Sequence, residues 1–374
     1  VSMFLVCCAY AVNVGWMVYH RHQIQAVCET SALAGVAQMF ENSPIASGYY
    51  RPAGLPGAAN VVHTLRVRQD ARTRQHALRF AEMNTVDGRG MRLGANWSNR
   101  FDGDLVTGWV EYPTMLGAPM EPWNGQGPIN SLLVRALCIA SRGQALSLWA
   151  SSMFGFADVD MIVEARASVD QRVVGFRPVG HVAVPMVPLM IASRGDEGEQ
   201  SDRFTVDPRT LSVAPGRDGL QEFTIRLGRP QQSSEAVENV ARIVGFGRTA
   251  SSHDLEHQIR YGLTDDDLQW TGGVIVHQGI TQQAIATTEP SAASLATLHR
   301  ALRSIRGEKR IWPVGDPGTS SIFGFTALCV VECQEGEPGT LELVIQPCVL
   351  QTCTAMVRAG EPRNPRIGKI VLTR

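Results

Sequence analysis

The chain opens with a long stretch of apolar, helix-like sequence. Residues 1–19 contain no charged side chain, and Asn13 is the one strongly polar residue among them. A membrane-spanning helix needs about 20 mostly apolar residues. The run therefore predicts a membrane-spanning helix, with a buried core helix as the alternative. His20, Arg21 and His22 follow at once, and such side chains suit the headgroup region of a bilayer.

The helical pattern continues beyond this point, but one side of it becomes polar. Apolar residues recur at steps of three and four up to Phe40, and no proline interrupts the chain before Pro44. This pattern predicts a second, amphipathic half that packs against protein in water. At about 1.5 Å per residue, the whole helix would exceed roughly 50 Å. Ala32, Ala34 and Gly35 are small and permit a close approach of another helix.

Shorter elements fill the rest of the chain. Periodicity and capping residues predict further helices over 71–84, over 143–155, from Ser251 or Ser252 to Gly262, from Thr264 onward, and over 294–307. Apolar runs bounded by glycine, proline and asparagine predict strands at 105–112, 130–140, 159–169, 181–191, 220–227, 325–333 and 340–348. The last two runs flank EGEPG and predict a hairpin.

The strand at 159–169 has a clear two-residue period. Val159, Met161, Val163 and Ala165 share one face, and Asp158, Asp160, Ile162 and Glu164 share the other. This alternation is typical of a half-buried antiparallel strand rather than of a catalytic loop.

These elements predict an α+β fold. It consists of a long N-terminal hydrophobic and amphipathic helix, followed by a mainly antiparallel, β-rich ectodomain with a few helices. We place the membrane-anchor and packing helix at 1–42. The charge-rich stretch 194–205 (RGDEGEQSDRFT) is the expected boundary between two ectodomain halves, 43–193 and 194–374.

Composition narrows the possible partners and cofactors. The formal net charge is −1, which gives no reason to expect a nucleic-acid partner. Eight cysteines are present without a C-x-x-C pair, so a zinc ribbon or thioredoxin-like motif lacks its spacing. The four cysteines from Cys329 to Cys353 are either buried core residues or, in an exported protein, partners in disulfides. We expect no cofactor.

The N-terminal helix carries a recognisable order of residues. It reads Asn13-Val14-Gly15, then 21–25 as Arg-His-Gln-Ile-Gln, then Glu29, then 32–35 as Ala-Leu-Ala-Gly. This order resembles the N-terminal signature of the TadE/TadG-like Flp (tight adherence) pilus-assembly family. That signature is a membrane helix with Asp-Val-Gly, Arg-x-Gln-Leu-Gln, an aspartate, and Ala-Ala-Leu-Ala-Gly-Ala. The chain departs from it at Asn13 and Glu29, where the family usually has aspartate.

The resemblance implies a membrane-anchored, non-enzymatic, pilin-like component of the Flp/Tad pilus-assembly machinery. Such a protein would cross the bacterial inner membrane once, with its ectodomain in the periplasm or outside the cell. Its partners would be other pilin-like or Tad-machinery proteins and the lipid bilayer, with no nucleic acid. The residues that this hypothesis assigns to anchoring and helix packing are Phe4, Leu5, Val6, Val12, Val14, Gly15, Trp16, Val18, Arg21, Gln25, Ala32, Leu33, Ala34 and Gly35.

One motif suggests catalysis. HDLEH at 253–257 matches the H-x-x-E-H pattern of inverted zinc peptidases, in which two histidines bind zinc and the glutamate is the base. A third ligand is required, and Glu332, far downstream, is a candidate for it. Leu255 and Ile259 define the apolar face of this helix, and both histidines lie about 200° around the wheel from Leu255. They should therefore face solvent. A zinc peptidase and a cell-surface binding module remain the alternative functions.

Overall fold

A computed structural model describes residues 2–43, 58–142, 144–148, 158–192, 201–207, 210–228, 240–246, 251–277, 286–316 and 320–373. Within these residues the α+β class is confirmed, because a long N-terminal helix precedes mostly antiparallel strands and a few helices. The helices are α1 (Ser2–Glu41), α2 (Ala58–Met83), α3 (Ser252–Tyr261), α4 (Asp265–Leu268) and α5 (Ala292–Ser304).

The described residues form two compact units. Unit 1 comprises residues 2–43, those between 58 and 170, and 370–373, and unit 2 comprises those between 171 and 369. This division differs from the expected domains, since α1 belongs to unit 1 and the chain changes unit after Asp170 rather than at 194. The reason is strand pairing: the strand that ends at Asp170 is paired within unit 1, and the next strand is paired within unit 2.

The strands are numbered in chain order. Unit 1 contains β1 (Thr85–Val86), β2 (Arg89–Gly90), β3 (Leu105–Trp109), β4 (Glu121–Pro122), β5 (Ser131–Cys138), β6 (Leu146–Ser147), β7 (Asp158–Val159) and β8 (Met161–Asp170). Unit 2 contains β9 (Val173–Phe176), β10 (Leu189–Ala192), β11 (Phe204–Val206), β12 (Val213–Pro215), β13 (Phe223–Leu227), β14 (Val240–Gly245), β15 (Ile275–Val276), β16 (Ala286–Thr288), β17 (Lys309–Asp316), β18 (Ser321–Glu335), β19 (Leu341–Pro347), β20 (Leu350–Gln351) and β21 (Ala355–Val357). The last strand, β22 (Ile367–Thr373), begins in unit 2 and ends in unit 1.

Unit 1 packs two helices on a sheet. The main sheet has the order β22-β8-β5-β3-β4, and α1 contacts both β5 and β8. Helices α1 and α2 are antiparallel, because Gln69 donates to the carbonyl of Met39 at 2.7 Å while Ala77 lies against Gly35. Helix α2 begins at Ala58, so it is longer than the predicted helix over 71–84.

Strand β8 follows its predicted alternation. Val163 and Ala165 are buried, whereas Ile162 and Glu164 are exposed. The helix predicted over 143–155 is wrong at Leu146–Ser147, which form β6 and pair with β7. Pairing with a distant strand overrides the local helical pattern there. Residues 143 and 149–155 of that prediction lie outside the described part of the chain.

Unit 2 is built around a closed ring of strands. The order β10-β17-β18-β19-β13-β14 is closed by a further pairing of β10 with β14. Strand β16 also pairs with β14 and adds a seventh strand to the sheet. Two of the pairs, β10–β17 and β13–β14, are parallel, and the other four pairs of the ring are antiparallel. The predicted hairpin is confirmed as β18 and β19.

Side chains from all six strands of the ring meet in one buried cluster with α3 and α5. Alternate residues of a strand point to opposite faces, and the opposite faces of β10, β14, β17 and β18 contribute Met190, Val244, Ile311 and Ala327 to a second buried cluster. The apolar stripe of α5, which consists of Leu295, Leu298, Leu302 and Ile305, is part of the first cluster. Representative members are Leu189, Ile225, Ile243, Leu298, Leu302, Trp312, Leu328 and Leu343.

Candidate membrane-anchor helix

The first half of α1 presents a wide apolar surface. Within the described residues, Met3–Glu41 is the single helix long and apolar enough to cross a membrane, and 17% of its most apolar window is buried. Exposed apolar surface of this extent marks an interaction site on a protein or a membrane. The helix is consistent with single-pass membrane anchoring. The exposed large side chains are Met3, Phe4, Leu5, Val6, Tyr10, Val12, Val18 and Tyr19.

One line along this half is nevertheless covered by protein. Ala9, Asn13 and His20 are buried, at 7%, 4% and 1% exposure. Their spacing of four and seven residues puts them on one face of the helix. Trp16 is half-buried on the same side, and its Nε1 donates to the carbonyl of Ser147 at 3.3 Å. The apolar half is therefore not equally accessible to lipid all round.

A belt of aromatic and basic groups follows. The His20 ring lies edge-on to Trp16 with ring centroids 4.4 Å apart, and Tyr19 lies within the same group. Arg21 and His22 are exposed. Tryptophan, tyrosine and basic side chains concentrate where a membrane helix leaves the hydrocarbon. Both ring nitrogens of His20 are buried without a hydrogen-bond partner among the described residues.

The second half of α1 is a packing helix. Gln25 donates to Glu29 at 2.9 Å and to the carbonyl of Glu164 on β8 at 3.3 Å. Leu33 and Ala34 are half-buried, beside a fully covered face. The residues of that buried face are Ile24, Val27, Cys28, Ser31, Ala32, Gly35, Val36, Met39 and Phe40.

The two glycines of α1 have different surroundings. A Cβ at Gly35 would lie 2.4 Å from Cδ2 of Leu132 and 3.2 Å from the carbonyl oxygen of Thr73. Gly35 therefore permits the close contact of α1 with α2 and β5. A Cβ at Gly15 would meet nothing within 4 Å, and Gly15 is exposed. Of the two glycines of α1, Gly35 alone is needed for packing. Val14, one residue earlier, is half-buried.

Sequence reasoning missed the polar centre of unit 1. Arg74 of α2 is fully buried, although an arginine side chain is almost never fully buried unless it is paired. Its guanidinium donates to both carboxylate oxygens of Asp70, at 3.1 and 2.9 Å, and to the hydroxyl of Thr107 at 2.9 Å. It also donates to the carbonyls of Ala95, Asn96 and Leu105 and to Oδ1 of Asn99. The four-residue spacing of Asp70 and Arg74 was the only signal in the sequence.

The H-x-x-E-H motif lies on a solvent-facing side of α3. His253 and His257 are exposed, as the helical wheel predicts, while Leu255 and Ile259 are buried. Glu256 is paired with Arg260 at 3.0 Å, one turn later.

The caps of this region are as predicted. Ser251 is the N-cap of α3 and forms a capping box with Asp254, and Gly262 follows the helix at φ 87°. Thr264 caps α4 in the same way through Asp267. In the described part of the chain, no three histidine, cysteine, aspartate or glutamate side chains are grouped to hold a metal, so Glu332 does not complete a site with the two histidines.

Comparisons of the chain with protein-family models, with curated proteins and with solved structures found no match. The site is therefore defined by its own geometry: an apolar, largely exposed half-helix that is continuous with a buried, protein-packed half.

Proposed function

We propose that the protein is a membrane-anchored, non-enzymatic, pilin-like component of a Flp/Tad pilus-assembly machinery. It would cross the bacterial inner membrane once, with the two units in the periplasm or outside the cell. Other pilin-like or Tad-machinery proteins would be its partners. The proposal rests on the order of residues in α1 that resembles the family signature, and on the physical division of that helix.

The division of α1 is the observation that carries the proposal. Residues 3–19 expose large apolar side chains that water solvates poorly. Removing one such side chain fully from water is favourable by about 1.5–3 kcal/mol of transfer free energy. Residues 24–40 bury their apolar face against α2 and the sheet of unit 1. A helix of this kind ties a folded domain rigidly to a bilayer, which a flexible linker would not do.

Membrane insertion is best tested by substitutions at exposed positions, because deletion of the whole segment would also remove the buried Asn13 and His20. Val12 is 47% exposed on the apolar half of α1, and Val67 is 46% exposed on α2. An arginine at the centre of a membrane helix costs about 3 kcal/mol, roughly a 100-fold change in partition. We expect Val12→Arg to move the full chain from the carbonate-resistant membrane fraction to the soluble fraction, and Val67→Arg to leave it in the membrane.

The outcome discriminates between an anchor and a core helix. If the wild-type chain is soluble and folded, or if both arginine variants stay in the carbonate-resistant fraction, insertion of α1 is refuted. The assembly role needs a second measurement. A photocrosslinking side chain at Leu5 or Val6 should form adducts with a Tad-machinery protein identified by mass spectrometry in cells that build the pilus. Adducts with lipid alone would leave an anchor without the proposed assembly role.

Absence of enzymatic activity is part of the proposal and is tested separately. Zinc measured in purified full chain should stay below one equivalent, and it should not change in the His253→Ala, His257→Ala double variant. Stoichiometric zinc that disappears in this variant, together with peptidase activity that disappears with Glu256→Gln, would favour the peptidase alternative.

A further inference from the structure

Two buried cysteines of unit 1 belong to the contact between α1 and the sheet. Cys28 is on the buried face of α1 and is fully covered, and Cys138 is the last residue of β5 and is 4% exposed. Both are free thiols in this structure. Neither is used by the anchor or by the polar centre around Arg74.

The pairing of the strands places both side chains on the same side of the sheet. The thiol of Cys28 donates to the carbonyl of Val163 on β8 at 3.6 Å, and Val163 pairs with Ala136 on β5. Cys138 follows Ala136 by two residues, so its side chain points to the same face. That face carries Leu132, which packs against α1 at Gly35.

The Cys138 thiol also influences Cys28 electrostatically. The pKa of Cys28 is raised to about 12, mainly by burial and to a smaller extent by a charge on Cys138. Burial also raises the pKa of Cys138. A neutral, buried thiol is a poor nucleophile, so the folded protein protects both groups from exchange. Any bond between them therefore has to form during folding, before α1 docks on the sheet.

We propose that Cys28 and Cys138 form a disulfide in the exported protein and so link the anchor helix covalently to the sheet of unit 1. The proposal rests on the proposed function in one respect, since export supplies the oxidising compartment. Each thiol gives up one proton, and the pair gives two electrons to a disulfide oxidant, either a thioredoxin-like protein disulfide or oxidised glutathione. The oxidant leaves as two thiols, and the Sγ–Sγ bond forms.

A bond at this place constrains the anchor more than a local one would. It closes the chain between α1 and the end of β5, and the chain-entropy account gives the greatest stabilisation for long loops. It also prevents the packing half of α1 from separating from the sheet of unit 1 when force acts on the anchored end.

Refolding of the full chain tests the pairing directly. The protein is reduced and unfolded in denaturant, refolded in detergent with reduced and oxidised glutathione, and then unfolded again with N-ethylmaleimide to block the remaining thiols. Non-reducing peptide mass spectrometry should find Cys28 linked to Cys138 as the dominant product. Cys353, which is exposed, should carry the maleimide. Recovery of both Cys28 and Cys138 as maleimide adducts from refolded protein would overturn the proposal.

Matched variants make the stability readout specific. Reduction should lower the denaturant midpoint of unit 1 in the wild type and in Cys353→Ala, and leave it unchanged in Cys28→Ala and Cys138→Ala. An equal drop in Cys28→Ala would place the stabilising bond elsewhere and contradict the pairing.

The refolding experiment requires no export, so its failure is distinct from that of the proposed function. A linked protein that does not bind membranes contradicts the anchor alone. A membrane-bound protein with both thiols free contradicts the disulfide alone.

Discussion

Arg74 offers the sharpest test of how unit 1 is held together. Its side chain is fully buried, and its ion-pair partner Asp70 has 11% of its side chain exposed. Arg74→Met keeps most of the apolar stem but removes every guanidinium hydrogen bond. The Asp70 carboxylate would then be buried with the hydroxyl of Thr107 at 2.6 Å as its remaining donor. Breaking a buried ion pair at one side costs about 3–5 kcal/mol.

The three backbone carbonyls that accept from Arg74 make the loss larger rather than smaller. The carbonyls of Leu105 and Asn96 would keep Nδ2 of Asn96 and the N–H of Asn99 as donors, each at 2.8 Å. The carbonyl of Ala95 would lose the Arg74 donor, and a buried acceptor left unpaired costs about 1–3 kcal/mol. These terms are not additive, so we expect a total loss near 4 kcal/mol. Domains are stable by about 5–15 kcal/mol, so the variant should fold but should be strongly destabilised.

Native-state hydrogen exchange of α2 and β3 amides measures this loss within unit 1. In the double variant Asp70→Asn, Arg74→Met, about 1–2 kcal/mol should be regained, because the unpaired buried charge is gone. Arg100→Met removes a pair whose side chains are 72% and 69% exposed, and it should have no measurable effect. If Arg74→Met changes the opening free energy by less than about 1 kcal/mol, the polar centre does not stabilise unit 1 as argued.

Further predictions concern packing, capping and pH. Gly35→Ala should destabilise α1 by roughly 1–2 kcal/mol, because the cost of overpacking exceeds the gain in helix propensity, whereas Gly15→Ala should stabilise α1 by up to about 1 kcal/mol. Hydrogen exchange of α1 amides in detergent compares the two variants, and equal effects would refute the packing role of Gly35. Ser251→Ala should cost about 1 kcal/mol in urea unfolding, and Ser252→Ala should cost far less, because Ser251 alone is the N-cap of α3. Burial raises the pKa of Cys329 from 9.0 to about 12, so between these pH values the unfolded state binds fewer protons and the free energy of unfolding falls as pH rises. If the slope of the free energy of unfolding against pH is the same in Cys329→Ala as in the wild type, this assignment is contradicted.

Local pattern predicted the elements whose determinants are close in sequence. The alternation in β8, the capping residues of α3 and α4, and the apolar stripe of α5 each depend on neighbours within a few residues, and each is as expected. The position of His253 and His257 on the outer face of α3 follows from the helical period alone. The prediction of a helix at Leu146–Ser147 was wrong for the opposite reason, because these residues form β6 by pairing with β7.

The candidate site was predictable only in part. The length and composition of α1 indicated a helix that passes from an apolar to an amphipathic half, and the structure has that helix. The burial of Ala9, Asn13 and His20 was not predictable, since isolated residues in an apolar run give no sign of which face protein covers. Gly15 and Gly35 are alike in the sequence, and their surroundings alone separate them.

The amino-acid pattern is sufficient to predict a long helix with two chemically different halves, followed by a β-rich body. Helical and strand periods and apolar run lengths are local quantities, and they need no knowledge of the partners. Three features become visible only in the folded protein: the strands of unit 2 close into a ring, Arg74 lies inside unit 1, and the thiol of Cys28 lies against Val163 of β8. These features join residues far apart in the chain, and such pairings depend on the summed packing of whole elements rather than on any segment's own pattern.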